Sequence, residues 1–268
     1  LCVVHNGEAD LPECLASGAF ADEIVVVLDR CTDGSKAIAE AAGELVAYTD
    51  DDVIVDRGWV RALAQVFAEH PEVQAVTGLV VPFELESESQ LLFEQYGGFG
   101  RGFERKWYRS DPEHGRAIVR HFGWTGMFGT GANMAYRRSI FGQIGTFDPA
   151  LDVGTPTNGG GDIEMFFRLL KAGHALVYEP SALVRHRHRR DRASLHRQIA
   201  NNGVGFSAYM VRSALAHPDE RLAFARMWLR WLRNWHLRRV YRSLKGTEKF
   251  PRAMVVAEAQ GHYDYEVR

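Results

Sequence analysis

Cysteine is scarce and odd in number: Cys2, Cys14 and Cys31 make up the whole set, and all lie near one end of the chain. That count, without metal-type spacing, excludes a disulfide framework and argues for reduced thiols in a cytosolic setting. Also absent are a signal peptide and any uninterrupted apolar run long enough to span a bilayer. The glycine-rich stretches 96–102 and 123–131 lack the preceding strand, the lysine and the distal acid that a phosphate loop or a dinucleotide-binding turn requires, which excludes both. No methionine stands at position 1, and the chain opens inside an apolar run at Leu1, so its true N-terminus is expected to lie upstream.

What is present suits a globular α/β protein. Of 268 residues, 46% are hydrophobic and 25% charged, enough to bury a large core in one big domain or in a domain with an appendage. The formal net charge of −2 conceals an asymmetry. Positions 185–197 hold six arginines against one aspartate, and positions 221–252 hold ten basic residues against one glutamate, while the front half is acidic. These clusters alone would suit a nucleic acid or a membrane surface. Nothing else supports nucleic acid, and none is expected as a partner.

The most informative stretch is Glu44 to Trp59, where an apolar run ends in three consecutive carboxylates. Leu45, Val46, Ala47 and Tyr48 read as a buried strand, which puts Asp50, Asp51 and Asp52 at its carboxyl end, the place where open α/β sheets bind ligands. Three adjacent aspartates repel one another unless a cation sits among them, and a hard divalent ion, Mg²⁺ or Mn²⁺, suits oxygen ligands. On an extended backbone residues i and i+2 point the same way, so Asp50 and Asp52 can share one ion or ligand while Asp51 points elsewhere. The competing reading is a solvated acidic turn that caps the helix beginning near Gly58.

Strands are also expected at Leu1–Val4 and Ile24–Leu28, helices around Leu11–Ala16 and Lys36–Ala42, and short strands at Ala175–Tyr178 and Ala182–Val184. This alternation points to a doubly wound sheet built from βαβ units. Thr157–Arg168 (TNGGGDIEMFFR) is a glycine-rich turn running into an amphipathic helix, with Asp162 at a helix start where the dipole favours it whatever its chemistry. The segment Arg185–Arg190 carries His186 and His188, whose imidazoles share one side of an extended chain and suit Mn²⁺ or zinc; a solvated basic loop is the alternative. Phe99, Phe103, Trp107 and Trp124 are what a sugar-binding or acceptor-binding lid needs, although loop packing explains them as well.

In order along the chain, VVHNGEADLPECL (Val3–Leu15), DEIVVVLDRCTDGS (Asp22–Ser35), Glu44–Trp59, GMFGTGANMAYRR (Gly126–Arg138), Phe147–Gly173 and Tyr178–Arg190 resemble successive blocks of family-2 glycosyltransferases. The resemblance covers most of the chain from Leu1 to about Asn202. It implies a GT-A type mixed sheet with a Rossmann-like nucleotide-sugar domain, and an inverting transferase that takes a nucleoside-diphosphate sugar as donor. It implies further that Asp29 contacts the nucleobase, that Asp50 lies near the ribose and the metal with Asp51 in the same nucleotide-sugar site, and that Asp52 ligates the metal, Mn²⁺ or Mg²⁺, with His186 completing the site. The general base is implied at Asp162. Gly161 stands where similar enzymes have a glutamate, and Glu164 is the fallback. Asn133, Arg137 and Arg138 match the wall of the acceptor region. A strand-helix unit that comparable enzymes carry before the carboxylates is absent near 43/44.

The domain expected at 1–202 is followed by a helical, basic and aromatic region at 203–268. There Phe224, Trp228, Trp231 and Trp235 recur at helical spacing with Arg226, Arg230 and Arg233 on the opposite face. That pattern suits a helix in an anionic membrane interface, which favours a cytoplasmic protein peripheral at the inner membrane face and a sugar, lipid-linked or small-molecule acceptor. A helix docked on the catalytic domain, aromatics inward, is the competing reading. A catalytically silent relative that binds nucleotide-sugar or a partner is the alternative to the enzyme.

Overall fold

The computed structural model describes residues 2–4, 8–10, 12–13, 16, 26–28, 34, 43–110, 125–246 and 250–267. Strands β1 (Cys2–Val4) and β2 (Val26–Leu28) pair in parallel, as a βαβ unit requires. The helices expected around 11–16 and 36–42, together with Asp29 and Trp124, lie largely or wholly outside the described residues.

Six further strands form a mixed sheet: β3 (Leu45–Thr49), β4 (Val53–Val55), β5 (Val73–Pro82), β6 (Lys106–Arg109), β7 (Asn133–Arg137) and β8 (Ala175–His186). Their order is β3-β7-β5-β8-β4, with β6 also paired to β8, and only β5 and β8 run parallel. The chain thus has the expected mixed α/β architecture with helices at its C-terminal end. β5 is an almost unbroken apolar run and occupies the centre, because a strand covered on both faces has no solvated side to reserve for polar residues. β3 differs from expectation. It is only half-buried, with Ala47 exposed, because among the described residues it pairs with β7 on one side and nothing on the other.

The two short strands expected at 175–178 and 182–184 are one strand with an interruption. Gly78 of β5 pairs with Glu179, and the next residue, Leu79, pairs with Leu183, so the intervening residues of β8 bulge out around Pro180, which has no N–H to give to a ladder. Asn133 serves this bulge. Its Nδ2 donates to Ala182 O at 2.7 Å and Leu79 O at 3.1 Å, and its Oδ1 accepts from Trp59 Nε1 at 2.8 Å. Any Cβ on Gly78 would fall 2.2 Å from Ala182 O, so the bulge also requires glycine there.

Alternation along the strands separates two cores. Val76, Ala135, Ala175 and Val177 face α1 (Trp59–Glu69), packing with Trp59, Leu63, Val66 and Phe67. Ala75, Met134, Tyr136 and Leu176 face the opposite way, toward Phe166, Phe167, Leu169 and Leu170. A third cluster joins Leu92 and Phe93 of α2 (Glu88–Tyr96) to later helices. The helices after the sheet's turns are α3 (Gly161–Lys171), α4 (Arg192–Ala216), α5 (Arg221–Trp231), α6 (Arg238–Leu244) and α7 (Arg252–Val267), with a π-helical stretch, Leu232–Leu237, joining α5 to α6; of these α4, α6 and α7 supply the third cluster. α4 runs without a break through positions 202 and 203, where the domain boundary was expected, and α7 lies against it. Their backbones come so close that a Cβ on Gly261 would lie 2.0 Å from Ala200 O.

The aromatic face of α5 is turned inward, which corrects the membrane-interface reading of those side chains. Phe224 is buried, its ring 5.1 Å from Phe167 and 5.7 Å from Tyr209, and Trp228 and Trp231 pack on the same core. Arg226, Arg230 and Arg233 are exposed, as the spacing implied. The physical reason is local supply: Phe167, Phe206 and Tyr209 offer this face an apolar surface within the protein itself. No helix among the described residues is long and apolar enough to cross a membrane.

Candidate active site

Strand register assembles the first half of the site. After β3 the chain turns at Asp51–Asp52 and returns as β4, whose Val53 pairs with His186 at the end of β8. Arg187 N donates to Asp52 O at 2.9 Å, locking the turn against that end. His186 Nε2 then lies 3.2 Å from Asp52 Oδ1, and one ligand atom from each of Asp50, Asp52 and His186 falls within 4.8 Å of the others. Asp51 is exposed and outside this group, as the i, i+2 argument requires. The helix-capping alternative is served by another residue: Asp56 Oδ1 accepts from Gly58 N at 3.1 Å at the start of α1.

Two carboxylates and an imidazole suit a divalent ion of the Mn²⁺ type, with oxygen donors dominant. Electrostatics support the fit. Asp50 is exposed by surface area, yet its carboxyl is hemmed in by protein; that desolvation, with the Asp52 charge beside it, pushes its pKa up to about 6. Burial also works against the Asp52 carboxylate, but contacts with His186 and with Arg189, 3.5 Å away, more than offset it and hold the pKa below the ordinary range. Neighbouring carboxylates held at such cost are relieved by a cation.

Asp162 forms the second half. The turn before α3 passes through Gly159 and Gly160, both at positive φ, and a Cβ on Gly160 would lie 2.5 Å from Gly205 O of α4, so the turn is seated directly on that helix. Asp162 Oδ2 accepts from Gly131 N and Oδ1 from Ile163 N, each at 2.8 Å. Burial of the carboxyl nevertheless raises its pKa. Its charge is felt at Asp50, so the two halves are electrostatic neighbours. The fallback residue is engaged elsewhere: Glu164 is buried and accepts from Arg168 Nε at 2.7 and 2.9 Å.

A cavity of about 610 Å³ opens beside Asp162, and its wall includes Phe99, Arg101, Asn202, Phe206, Trp231 and Trp235. Phe99 links it to the metal-capable group, its ring 4.9 Å from that of His186. Arg101 is held by carbonyls, Nε to Gly126 O at 3.0 Å and Nη1 to Gly100 O at 3.0 Å. Arg101 and the helical aromatics escaped the sequence reading as site residues, because nothing in their local pattern announces a pocket.

Other expectations need correction. Asn133 is consumed by the β8 bulge, and Arg137 donates to Val73 O at 2.9 Å and Phe67 O at 2.6 Å with its guanidinium over the Phe67 ring. Asn133 thus ties the start of α1 and Arg137 its last turns to the sheet, and neither lines the cavity. Trp107 packs edge-on against His70, 4.7 Å between rings, and Phe103 is 82% exposed, so neither lines the cavity.

The strand-end acid cluster of the mixed sheet and the buried Asp162 carboxylate thus come together as one candidate site. Residues 16–203 match the sequence model described as "Glycosyltransferase like family 2", more than half of the chain, and the chain belongs to that family. It is similar to the pre-mycofactocin glycosyltransferase of Mycobacterium tuberculosis strain H37Rv, 28% identical over 183 residues that cover 68% of this chain and 34% of that protein. It is also similar to the glucosyl-dolichyl phosphate glucuronosyltransferase of Haloferax volcanii, 24% identical over 158 residues, 54% of this chain and 44% of the other. The match thus spans less than half the length of either relative. Among solved structures, GalNAc-T7 with UDP, GalNAc and Mn²⁺ aligns over 90% of this chain and 50% of its own at 16% identity, with a TM-score of 0.40.

Proposed function

We propose that the chain transfers a sugar from a nucleoside-diphosphate donor to an acceptor hydroxyl with inversion. The observation that carries this reading is that the Asp50, Asp52 and His186 group feels the charge of the buried Asp162 carboxylate, which lines the cavity. Asp52 and His186, with Asp50 beside them, would hold Mn²⁺ or Mg²⁺; when bound, such an ion supplies Lewis-acid stabilisation of the charge that grows on the departing diphosphate. Arg189 adds a donor for phosphate oxygens from the same side. Asp29, Asp50 and Asp51 are assigned to the donor's nucleoside and sugar.

Asp162 takes the acceptor proton. Its two N–H partners orient the carboxylate, and burial keeps it basic enough to accept a proton. One base and no protein nucleophile make a single in-line displacement, which inverts the anomeric centre. The cavity takes the acceptor, its aromatic wall stacking on sugar or other flat apolar faces. For a lipid-linked acceptor, the exposed face bearing Arg226, Arg230 and Arg233 is assigned to anionic headgroups.

The test is donor turnover measured with Mn²⁺, with Mg²⁺ and with EDTA, and NMR of the product anomer. Metal-dependent turnover with inverted configuration supports the reading. Retention of configuration overturns the mechanism, and donor binding without turnover of any acceptor or water identifies a silent relative.

A further inference from the structure

Behind the metal-capable group lies a chain of contacts that the transfer reaction as described does not use. His188 Nε2 sits 2.8 Å from Glu94 Oε1, His188 Nδ1 sits 3.0 Å from His186 Nδ1, and His186 Nε2 faces Asp52 Oδ1 at 3.2 Å. We propose that Glu94 and His188 are positioning residues that fix the tautomer and the ring orientation of His186, so that its Nε2 is presented to the Asp50–Asp52 carboxylates; this rests on the metal-assisted reading above.

With a cation in place of a hydrogen between His186 Nε2 and Asp52, two neutral imidazoles have one consistent hydrogen placement along the chain. A carboxylate only accepts, so the hydrogen between Glu94 and His188 belongs to His188 Nε2. A neutral imidazole carries one N–H, which leaves His188 Nδ1 as an acceptor. The contact between the two Nδ1 atoms therefore needs its hydrogen on His186. His186 Nε2 is then the nitrogen whose lone pair can join the carboxylates on one cation. Metal-bound histidines commonly donate their other N–H to a carboxylate or a carbonyl. Here the carboxylate acts through a second imidazole.

Packing holds the relay in one arrangement. Both imidazoles are 4% exposed, and the Phe93 and Phe99 rings lie 4.7 Å from His188 and 4.9 Å from His186. Glu94 projects from α2, whose start carries a capping box between Ser87 and Gln90, and the Gln90 Nε2 reaches His188 O at 3.4 Å. The helix therefore grips the His188 backbone as well as its ring. Gly98, at φ +49, leaves room for the carboxylate: a Cβ there would fall 2.6 Å from Glu94 Oε1.

The experiment measures Mn²⁺ affinity on the full chain by titration calorimetry and by Mn²⁺ EPR, without donor. His188→Phe keeps the ring packing and removes both hydrogen bonds. Glu94→Leu removes the acceptor at a position about one-third exposed, and Glu94→Gln keeps an oxygen acceptor. Affinity is expected to fall roughly 10- to 100-fold in the first two variants at unchanged Tm, with near-complete rescue in Glu94→Gln. Wild-type affinity in both His188→Phe and Glu94→Leu overturns the relay and leaves the metal site standing. ¹⁵N-histidine NMR gives a readout independent of folding differences among variants: His188 is expected as the Nε2–H tautomer, and an Nδ1–H tautomer overturns the proposal. If the wild type binds no Mn²⁺, the metal reading fails, while the His188 tautomer still decides the relay.

Discussion

The acidic wall formed by strand ends stands beside the cavity, whereas the aromatic wall that lines the cavity comes mostly from helices far along the chain. Asp50 and Asp52 are two residues apart, and the pairing of Val53 with His186 brings the histidine to them through a backbone ladder. Ladder hydrogen bonds set position to within the register of a strand, so this wall tolerates little variation. The helical wall joins Asn202, Phe206, Trp231 and Trp235, with Phe99 added from the loop after α2, and α4 meets the turn before α3 where Gly205 lies against Gly159 and Gly160. The proposed metal chemistry thus rests on the rigid ladder, and the proposed acceptor surface rests on side chains that can be exchanged without moving the sheet.

Several substitutions should sharpen or break that contrast. The largest effect is expected from Asp162→Asn, with turnover down by roughly 10² to 10⁴ while donor and Mn²⁺ affinities stay near wild type. Glu164→Gln should instead lower stability, since Glu164 pairs with Arg168 in the interior. Lost turnover at unchanged stability in Glu164→Gln would move the base to that residue.

Next in size is Asp52→Asn, which should abolish metal-dependent UDP or GDP binding, while Asp51→Asn, outside the group, is milder. Equal losses, or nucleotide binding indifferent to EDTA, would remove the metal from the strand-end wall. On the helical side, Phe224→Ala should cost about 3–5 kcal/mol, as truncations of buried rings do. Trp235→Ala, 38% exposed at the cavity wall, should raise the acceptor KM with a smaller change in Tm. An unchanged KM would exclude the helical wall from acceptor binding.

A pH effect belongs to the strand-end wall. Asp50, pushed from 3.8 up to about 6 by burial and by Asp52, holds its proton more tightly folded than unfolded. Between pH 4 and about 6 the folded state binds the extra proton, so this group's contribution to stability declines as pH rises through that window and is flat above it. In divalent-free buffer the Tm difference between wild type and Asp50→Asn should follow that course, and Mn²⁺ should restore Tm more at pH 7 than at pH 5. A difference independent of pH would mean that Asp50 is solvated. The smallest effect concerns Arg226, Arg230 and Arg233. Their joint replacement by Glu should weaken any binding to anionic vesicles, which salt should weaken likewise; vesicle binding absent in the wild type would remove the membrane assignment and leave catalysis untouched.

Legibility followed sequence separation. The Asp50–Asp52 pairing, the start of α1 near Gly58 and the helical face of Arg226, Arg230 and Arg233 were readable because each depends on a period of two or of about 3.6 residues. Asn133 and Arg137 misled because a polar residue in a conspicuous block looks alike whether it meets a substrate or a carbonyl of a bulge. Trp228 and Trp231 misled for a related reason: an amphipathic pattern states that one face is apolar and leaves open whether protein or lipid covers it.

By itself the sequence determined the family, the mixed α/β class, and the acid cluster with His186, and it singled out Asp162 as the proposed base, since these rest on short motifs and local geometry. Tertiary structure alone decided that the C-terminal aromatics turn inward to wall a cavity, that Glu164 is spent on Arg168, and that Glu94 stands behind His188 and His186. Each of those facts joins residues brought together by packing, and packing is settled by which apolar faces cover one another across the whole chain, information that no local window contains.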